Sequence, residues 1–532
     1  MTGKLLEVRD LSIMLGARKL VDSISFDLAP GETVALIGES GSGKSMTASS
    51  IMGLLPPGIA MAGQSAILFE GRAIDPSDEA AMRPLRGRDI SMVFQDPMSC
   101  LNPFTTAGAQ IDEALQRLGQ SDATQRHERV LELLRLVEMR EPALIASRYP
   151  HELSGGQQQR VMTAMALAAE PKLLIADEPT SALDATVQAE ILALLRRLQD
   201  KLGNAMLFIT HDLAAAVELA DQVLVMHKGR CVEQGAVAEV LQAPKQAYTR
   251  MLVSTRLMLR ELPEPAPASS EGPALAMRSL VYDYPAKRLF SKPFRAVDGV
   301  TLAIGRGETL GILGESGSGK STLAKLIIGL ARPASGDIEL FGEPLSRHGF
   351  RLTPAMRKRC QIVFQNPYGA LNPRLTIEKA MREPLELLGL SGPNDSAVLE
   401  AALADVNLTR DYLKRYPHQL SGGQRQRVCI ARALLSEPDL LICDEIVSAL
   451  DATVQMQVLR TLKALQEKRR FAMMFIGHDI EIVRWISDRI AVMHHGKVVE
   501  QGDAEDILER PVEAYTRKLV SAMPRPLEAR IG

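Results

Sequence analysis

Cysteine is scarce in this 532-residue chain. Cys100, Cys231, Cys360, Cys429 and Cys443 are scattered, with none of the close pairs that hold a metal. They read as reduced, mostly structural thiols of a cytosolic protein. An excess of either charge is missing too. Lys+Arg total 62 against Asp+Glu 64, a net charge of −2, which gives no electrostatic footprint for nucleic acid. No apolar run reaches the ~18 residues of a membrane span. The stretch Met1 to Glu7 lacks the apolar core of a signal peptide. Any attachment to a membrane is therefore expected to run through partner chains. What is present is ordinary for a globular protein, 46% hydrophobic and 24% charged residues, in a chain too long for one core.

The stretch that organises the chain is Gly38-Glu39-Ser40-Gly41-Ser42-Gly43-Lys44-Ser45. An apolar run, Thr33 to Ile37, reads as a buried strand before it, and a helical pattern, Met46 to Leu54, follows. Strand, glycine-rich turn and helix form the context of a phosphate-binding loop. Glycines let backbone N–H groups point inward at a polyphosphate, and the helix adds the positive end of its dipole. Lys44 would reach the β- and γ-phosphates, and the Ser45 hydroxyl would hold Mg²⁺. The plain alternative is a flexible loop with a chance lysine. Recurrence of the loop at Gly314-Glu315-Ser316-Gly317-Ser318-Gly319-Lys320-Ser321 weighs against it.

That recurrence belongs to a long-period repeat. Lys44 and Lys320 stand 276 residues apart, and Gln95 and Gln365 stand 270 apart. Ser154 and Ser421, Asp177 and Asp444, and His211 and His478 are each separated by 267. The order is identical and the offset drifts slowly, as expected for one domain duplicated. The join is rich in Pro, Ser and Gly from Leu262 to Pro273 and behaves as an extended linker. We expect a first domain over 1–258, a linker over 259–273 and a second domain over 274–532. Each half opens with strand-like alternation (Leu5 to Ile13; Ala276 to Tyr282) and has a helical middle (Ile111 to Met139; Ala397 to Leu408). That mixture suggests an α/β core with an inserted helical subdomain.

Two further motifs occur in both halves. Lys172 to Glu178 and Asp439 to Glu445 are apolar strands ending in two carboxylates, Asp177-Glu178 and Asp444-Glu445. In nucleotide hydrolases the first acid orients Mg²⁺ and the next can polarise the attacking water. Leu153-Ser154-Gly155-Gly156-Gln157 and Leu420-Ser421-Gly422-Gly423-Gln424 open helical runs. A serine hydroxyl and bare glycine N–H groups at a helix start make a second anion site, or else an ordinary helix cap.

Together these motifs resemble the ATP-binding subunits of ABC transporters. Walker A loop, Gln loop, signature, Walker B strand, Ser-Ala-Leu-Asp loop (Ser181 to Asp184; Ser448 to Asp451) and switch histidine all appear twice, over nearly the whole chain. The resemblance implies two tandem P-loop ABC ATPase domains forming a pseudo-two-fold, head-to-tail nucleotide sandwich, with ATP and Mg²⁺ as cofactors. One site would pair Gly38, Ser40, Gly41, Gly43, Lys44, Ser45, Gln95, Asp177, Glu178 and His211 with Ser421, Gly422, Gly423 and Gln424. The other would pair Gly314, Ser316, Gly317, Gly319, Lys320, Ser321, Gln365, Asp444, Glu445 and His478 with Ser154, Gly155, Gly156 and Gln157. Glu178 and Glu445 would activate water, His211 and His478 would touch the γ-phosphate, and Gln95 and Gln365 would contact Mg²⁺. Fusion makes closure intramolecular. Tyr284 fits the aromatic that stacks on adenine, whereas the first half carries Leu15 at that place. The second half also departs at Ile446-Val447, where the first has Pro179-Thr180, and at Gly477, where the first has Thr210. Both sites are expected to hydrolyse ATP, but unequally.

The surroundings of Gln95 and Gln365 look like the dipeptide/oligopeptide/nickel import subfamily, as do the tails Gln246 to Arg250 and Glu513 to Arg517. Both tails lack the cysteines that carry an iron–sulfur cluster in some members. The resemblance implies a peptide importer at the cytoplasmic face of the bacterial inner membrane, with two permeases and a periplasmic binding protein. A nickel, glutathione or opine importer with the same engine stays open, and so does a soluble twin-cassette ATPase acting on ribosomes or DNA.

Overall fold

The computed structural model describes residues 3–181, 183–259, 272–285, 293–448 and 450–523. Most of the expected linker, and Ala182 and Ala449 of the Ser-Ala-Leu-Asp loops, lie outside the described residues. The chain divides into two compact units that part near Ser254. In the first, a six-stranded sheet holds the strands Ile90–Val93, Leu173–Asp177, Ala205–Thr210, Thr33–Ile37 and Gln222–His227 in parallel, with Arg230–Ala236 antiparallel at one edge. Thr33–Ile37 and Leu173–Asp177 are buried at every position, which suits strands covered on both faces. A smaller antiparallel sheet built on Leu6–Leu15 and Arg18–Leu28 lies over one face. Leu6, Val8 and Ile13 share a core with Val34, Leu36 and Ile175.

The phosphate-loop helix runs from Lys44 to Ile51, two residues ahead of the expected Met46 start. Gly43 at φ 103° serves as its cap, a conformation that glycine adopts freely, and this places Lys44 in the first turn. The helical middle is four helices, Ala107–Arg117, Ala123–Leu136, Pro142–Ser147 and Gly155–Ala166. Thr106 and Asp122 cap the first two through their side chains.

The second unit repeats this plan. Its parallel strands are Cys360–Val363, Leu440–Asp444, Ala472–Gly477, Thr309–Leu313 and Arg489–His494. The expected helical stretch Ala397 to Leu408 covers one helix, Asp395–Asp405, but an earlier helix, Ile377–Leu387, stands outside it. Pro384 sits inside that earlier helix and hides it from a sequence reading, because proline removes a backbone donor.

Candidate functional site

The chemistry-bearing residues of each half lie at the C-terminal ends of its parallel strands, where ligands of such sheets are held. Gly38 follows Thr33–Ile37 and takes φ +149°, and a Cβ there would stand 2.2 Å from the Met226 carbonyl oxygen. Any larger residue would push the loop off its neighbouring strand. Lys44 is 4% exposed, and its Nζ donates to the carbonyls of Gly38 (2.8 Å) and Glu39 (3.0 Å). The second half copies this, with Lys320 Nζ donating to Gly314 (2.6 Å) and Glu315 (2.9 Å). The loop thus folds around its own lysine, which satisfies a buried ammonium.

Ser45 Oγ donates to Asp177 Oδ1 at 3.0 Å, and Ser321 Oγ to Asp444 Oδ1 at 3.0 Å. Burial pushes Asp177 up to about 6 and raises Asp444 as well. Each pair sets a hydroxyl oxygen beside a buried carboxylate oxygen at the start of the phosphate-loop helix. No cluster of three His, Cys, Asp or Glu side chains that could hold a metal exists among the described residues.

Glu178 and Glu445 sit next in sequence, in the left-handed backbone region at φ 45° and 48°. That turn aims each carboxylate at two partners. Glu178 Oε2 accepts from Gln95 Nε2 at 2.9 Å and lies 3.3 Å from His211 Nδ1. Glu445 Oε2 accepts from Gln365 Nε2 at 2.7 Å and lies 3.5 Å from His478 Nδ1. Burial works to raise both glutamates, but the histidine hydrogen bonds and the nearby lysine hold them below the usual carboxylate value. Glu178 in turn raises His211. At His478 burial acts downward, and Glu445 outweighs it. Each half therefore joins its lysine, serine, two acids, glutamine and histidine in one cluster.

The signature residues are not in that cluster. Ser154 caps the helix Gly155–Ala166, its Oγ accepting from Gln157 N at 3.3 Å while Gln157 Oε1 accepts from Ser154 N at 3.0 Å. Ser421 and Gln424 form the same reciprocal pair. Among the described residues neither pair bonds to the phosphate loop of its own half. Gly156 and Gly423 have a packing reason as well. A Cβ at either would stand 2.5 Å or 2.3 Å from Val187 or Val454 of the following helix.

Tyr284 is partly exposed, and its hydroxyl lies 3.2 Å from Thr322 Oγ1. Leu15 is 46% exposed and ends the equivalent strand of the first half. Two residues that the sequence reading left as mere tail are part of the site's surroundings. The hydroxyls of Tyr248 and Tyr515 each accept the backbone N–H of the second loop residue, Glu39 or Glu315, at 3.2 Å. Their appearance at matching places in both tails was the available signal.

The sequence matches the family described as ABC transporter over residues 21–181 and 297–448, and the oligopeptide/dipeptide transporter C-terminal region over residues 499–531. It is 44% identical to the peptidoglycan transport ATP-binding protein YejF of Agrobacterium fabrum, over 98% of this chain and 96% of that one. It is 40% identical to the glutathione import ATP-binding protein GsiA of Pectobacterium atrosepticum and to that of Escherichia coli, over 98% of this chain and 90% of each relative. Two phosphate loops with their acids, glutamines and histidines, on two α/β units matched twice by one family, identify the chain as a member of the ABC transporter ATP-binding proteins, an ATP-hydrolysing subunit with its cassettes in tandem.

Proposed function

We propose that this chain powers a bacterial inner-membrane importer of peptides, hydrolysing ATP at both Walker A loops. The observation that carries the ATPase reading is the double cluster of Lys44, Ser45, Gln95, Asp177, Glu178 and His211 with Lys320, Ser321, Gln365, Asp444, Glu445 and His478. The peptide reading is supported by the C-terminal match at 499–531 and by the YejF likeness. The two GsiA relatives favour glutathione, itself a small peptide, as a second reading.

The donor set suits Mg²⁺. A serine hydroxyl beside a buried carboxylate offers two hard oxygens, and such a cation takes its remaining ligands from phosphates and water. Ser45 with Asp177, and Ser321 with Asp444, would hold it, with Gln95 and Gln365 nearby. Bound there, it would neutralise charge between the β- and γ-phosphates. Lys44 and Lys320 bind the phosphates, and Glu178 and Glu445 are ionised and placed to accept a proton from water. His211 and His478 hold those carboxylates and would contact the γ-phosphate of bound ATP. The resemblance to the family supports completion of each site by Ser154 to Gln157 or Ser421 to Gln424 of the opposite half.

No helix among the described residues is long and apolar enough to cross a membrane. We assign the subunit a peripheral place on the cytoplasmic face, held by two permeases that receive cargo from a periplasmic binding protein. Affinity purification from detergent-solubilised membranes tests this. Recovery of two multi-span chains is expected, and a binding protein made alongside them is then screened with peptides and glutathione. Recovery with ribosomes or DNA and no membrane chain overturns the transport reading and leaves the ATPase.

A further inference from the structure

We propose that Tyr248 and Tyr515, in the helices that follow each cassette's last strand pair, are positioning residues for ATP. They brace the phosphate loop through a single peptide group. The inference rests on the reading of the two Walker A loops as ATP sites.

The peptide at the second loop residue is held from both ends. In the first half the Glu39 carbonyl accepts from Lys44 Nζ at 3.0 Å, while the Glu39 N–H donates to Tyr248 Oη at 3.2 Å. In the second, Glu315 accepts from Lys320 Nζ at 2.9 Å and donates to Tyr515 Oη at 3.2 Å. A loop that binds phosphate with its N–H groups must hold them at fixed angles before ligand arrives. Preorganisation of that kind lowers the cost of binding. The tyrosine hydroxyl is the outer partner of the peptide whose inner partner is the phosphate-binding lysine.

The tyrosine is itself held on two sides. Its ring lies against the histidine that ends the neighbouring strand. Tyr248 and His227 have centroids 3.9 Å apart, and Tyr515 and His494 3.8 Å apart. One residue before that histidine, the carbonyls of Met226 and Met493 abut the first loop glycine. The tail is clamped as well. Glu233 accepts the backbone N–H groups of Lys245 (2.8 Å) and Gln246 (3.1 Å). Glu500 does the same for Val512 (2.8 Å) and Glu513 (3.2 Å). Arg250 and Arg517 donate back to the Pro244 and Val512 carbonyls at 3.1 and 2.7 Å. A helix docked only for packing does not need a hydroxyl at this one place. Both halves keep it, although the residue after the stacking histidine changes from Lys228 to His495. Burial pushes Tyr515 up to about 12, so its hydroxyl keeps its proton.

The test uses the full chain and a fluorescent ATP analogue. Tyr248→Phe in a Lys320→Ala background reads the first site alone, and Tyr515→Phe in a Lys44→Ala background reads the second. Phenylalanine keeps the ring contact with histidine and loses only the hydroxyl. We expect a three- to tenfold rise in the dissociation constant and in the KM for ATP, about the worth of one hydrogen bond, with kcat changed less than twofold and melting unchanged. Unchanged binding in both Phe variants overturns the proposal. Should melting fall, Leu133→Ala and Leu403→Ala, in the buried helical cores away from the tails, lower melting without touching the hydroxyl. An equal loss of affinity there assigns the effect to general stability and also overturns it. Lysine variants that bind the analogue as well as the parent would refute the ATP sites themselves, a result distinct from unchanged Phe variants beside failing lysine ones.

Discussion

The two halves carry the same reacting groups on different packing. The first has Thr210 before its histidine, with Ala216 in the next helix and Ala35 in the loop strand. The second has Gly477, Val483 and Gly311 at those places. A Cβ at Gly477 would stand 2.8 Å from Val483 Cγ2, and one at Gly311 would stand 2.6 Å from Val483 Cγ1. Ser487 Oγ, 2.5 Å from a Cβ at Gly311, crowds that place further, where the first half has Ala220. The bare backbone at Gly477 thus suits the volume around it, and His478 lies against Glu445 as His211 lies against Glu178. The same holds for Ile446-Val447, which are buried in the core of their half as Pro179 and Thr180 are in theirs. The duplicate sites differ in packing while the candidate site residues keep the same contacts.

The sharpest way to break this equivalence is at the carboxylates. Glu178→Gln and Glu445→Gln are each expected to cut the ATPase rate of their own site about 100-fold or more, and the double variant to abolish turnover, measured as phosphate release. If one variant costs nothing and the other everything, two working sites are excluded. Gly477→Thr should destabilise the second unit by about 1–3 kcal/mol through overpacking. Adding Val483→Ala should recover part of that loss, since the two residues touch. Thermal melting checks both.

Acid separates binding from chemistry. Asp177 must be ionised to offer its oxygen to a cation, and its pKa is about 6. At pH 5.5 most of it is protonated and neutral, so the Mg²⁺ needed to saturate ATP binding in the Lys320→Ala background should rise roughly fourfold from pH 7.5. A flat response would place the cation elsewhere. The smallest expected effect is at the adenine end. Tyr284 pairs with Thr322, and the first half has Leu15 and Met46 at those places. Leu15→Tyr should tighten ATP binding at the first site by about 0.5 kcal/mol, and Met46→Thr should add to it by giving the new hydroxyl a partner.

The strand-loop-helix order around Lys44 and the acids at Asp177-Glu178 were legible because each is local in sequence. The buried strands Thr33–Ile37 and Leu173–Asp177 announce themselves by unbroken apolarity. Convergence of Gln95 and His211 on one glutamate oxygen was not legible, since it joins three strand ends across more than 100 residues. The contact of Tyr248 with Glu39 spans 209 residues and leaves no periodic trace. The link of Arg425 to Tyr368 was equally hidden. The second half stacks that guanidinium on the ring, 3.4 Å from its centroid, and bonds it to the hydroxyl at 2.6 Å, joining the short helix Pro367–Ala370 to the helix Gly422–Leu434. The first half has Gln158 and Met98 there, and Gln158 donates instead to the Pro150 and Leu153 carbonyls.

The left-handed backbone at Glu178 and Glu445 sets what a substitution there would trade. A side chain with a Cβ is held there at φ 45° and 48° against its own conformational preference, a cost on the order of 1 kcal/mol that glycine would not bear. Glycine at either place would relieve that strain, but it would give up the bonds to Gln95 and His211, or to Gln365 and His478, so the cluster around each phosphate loop would come apart while the turn beneath it relaxed.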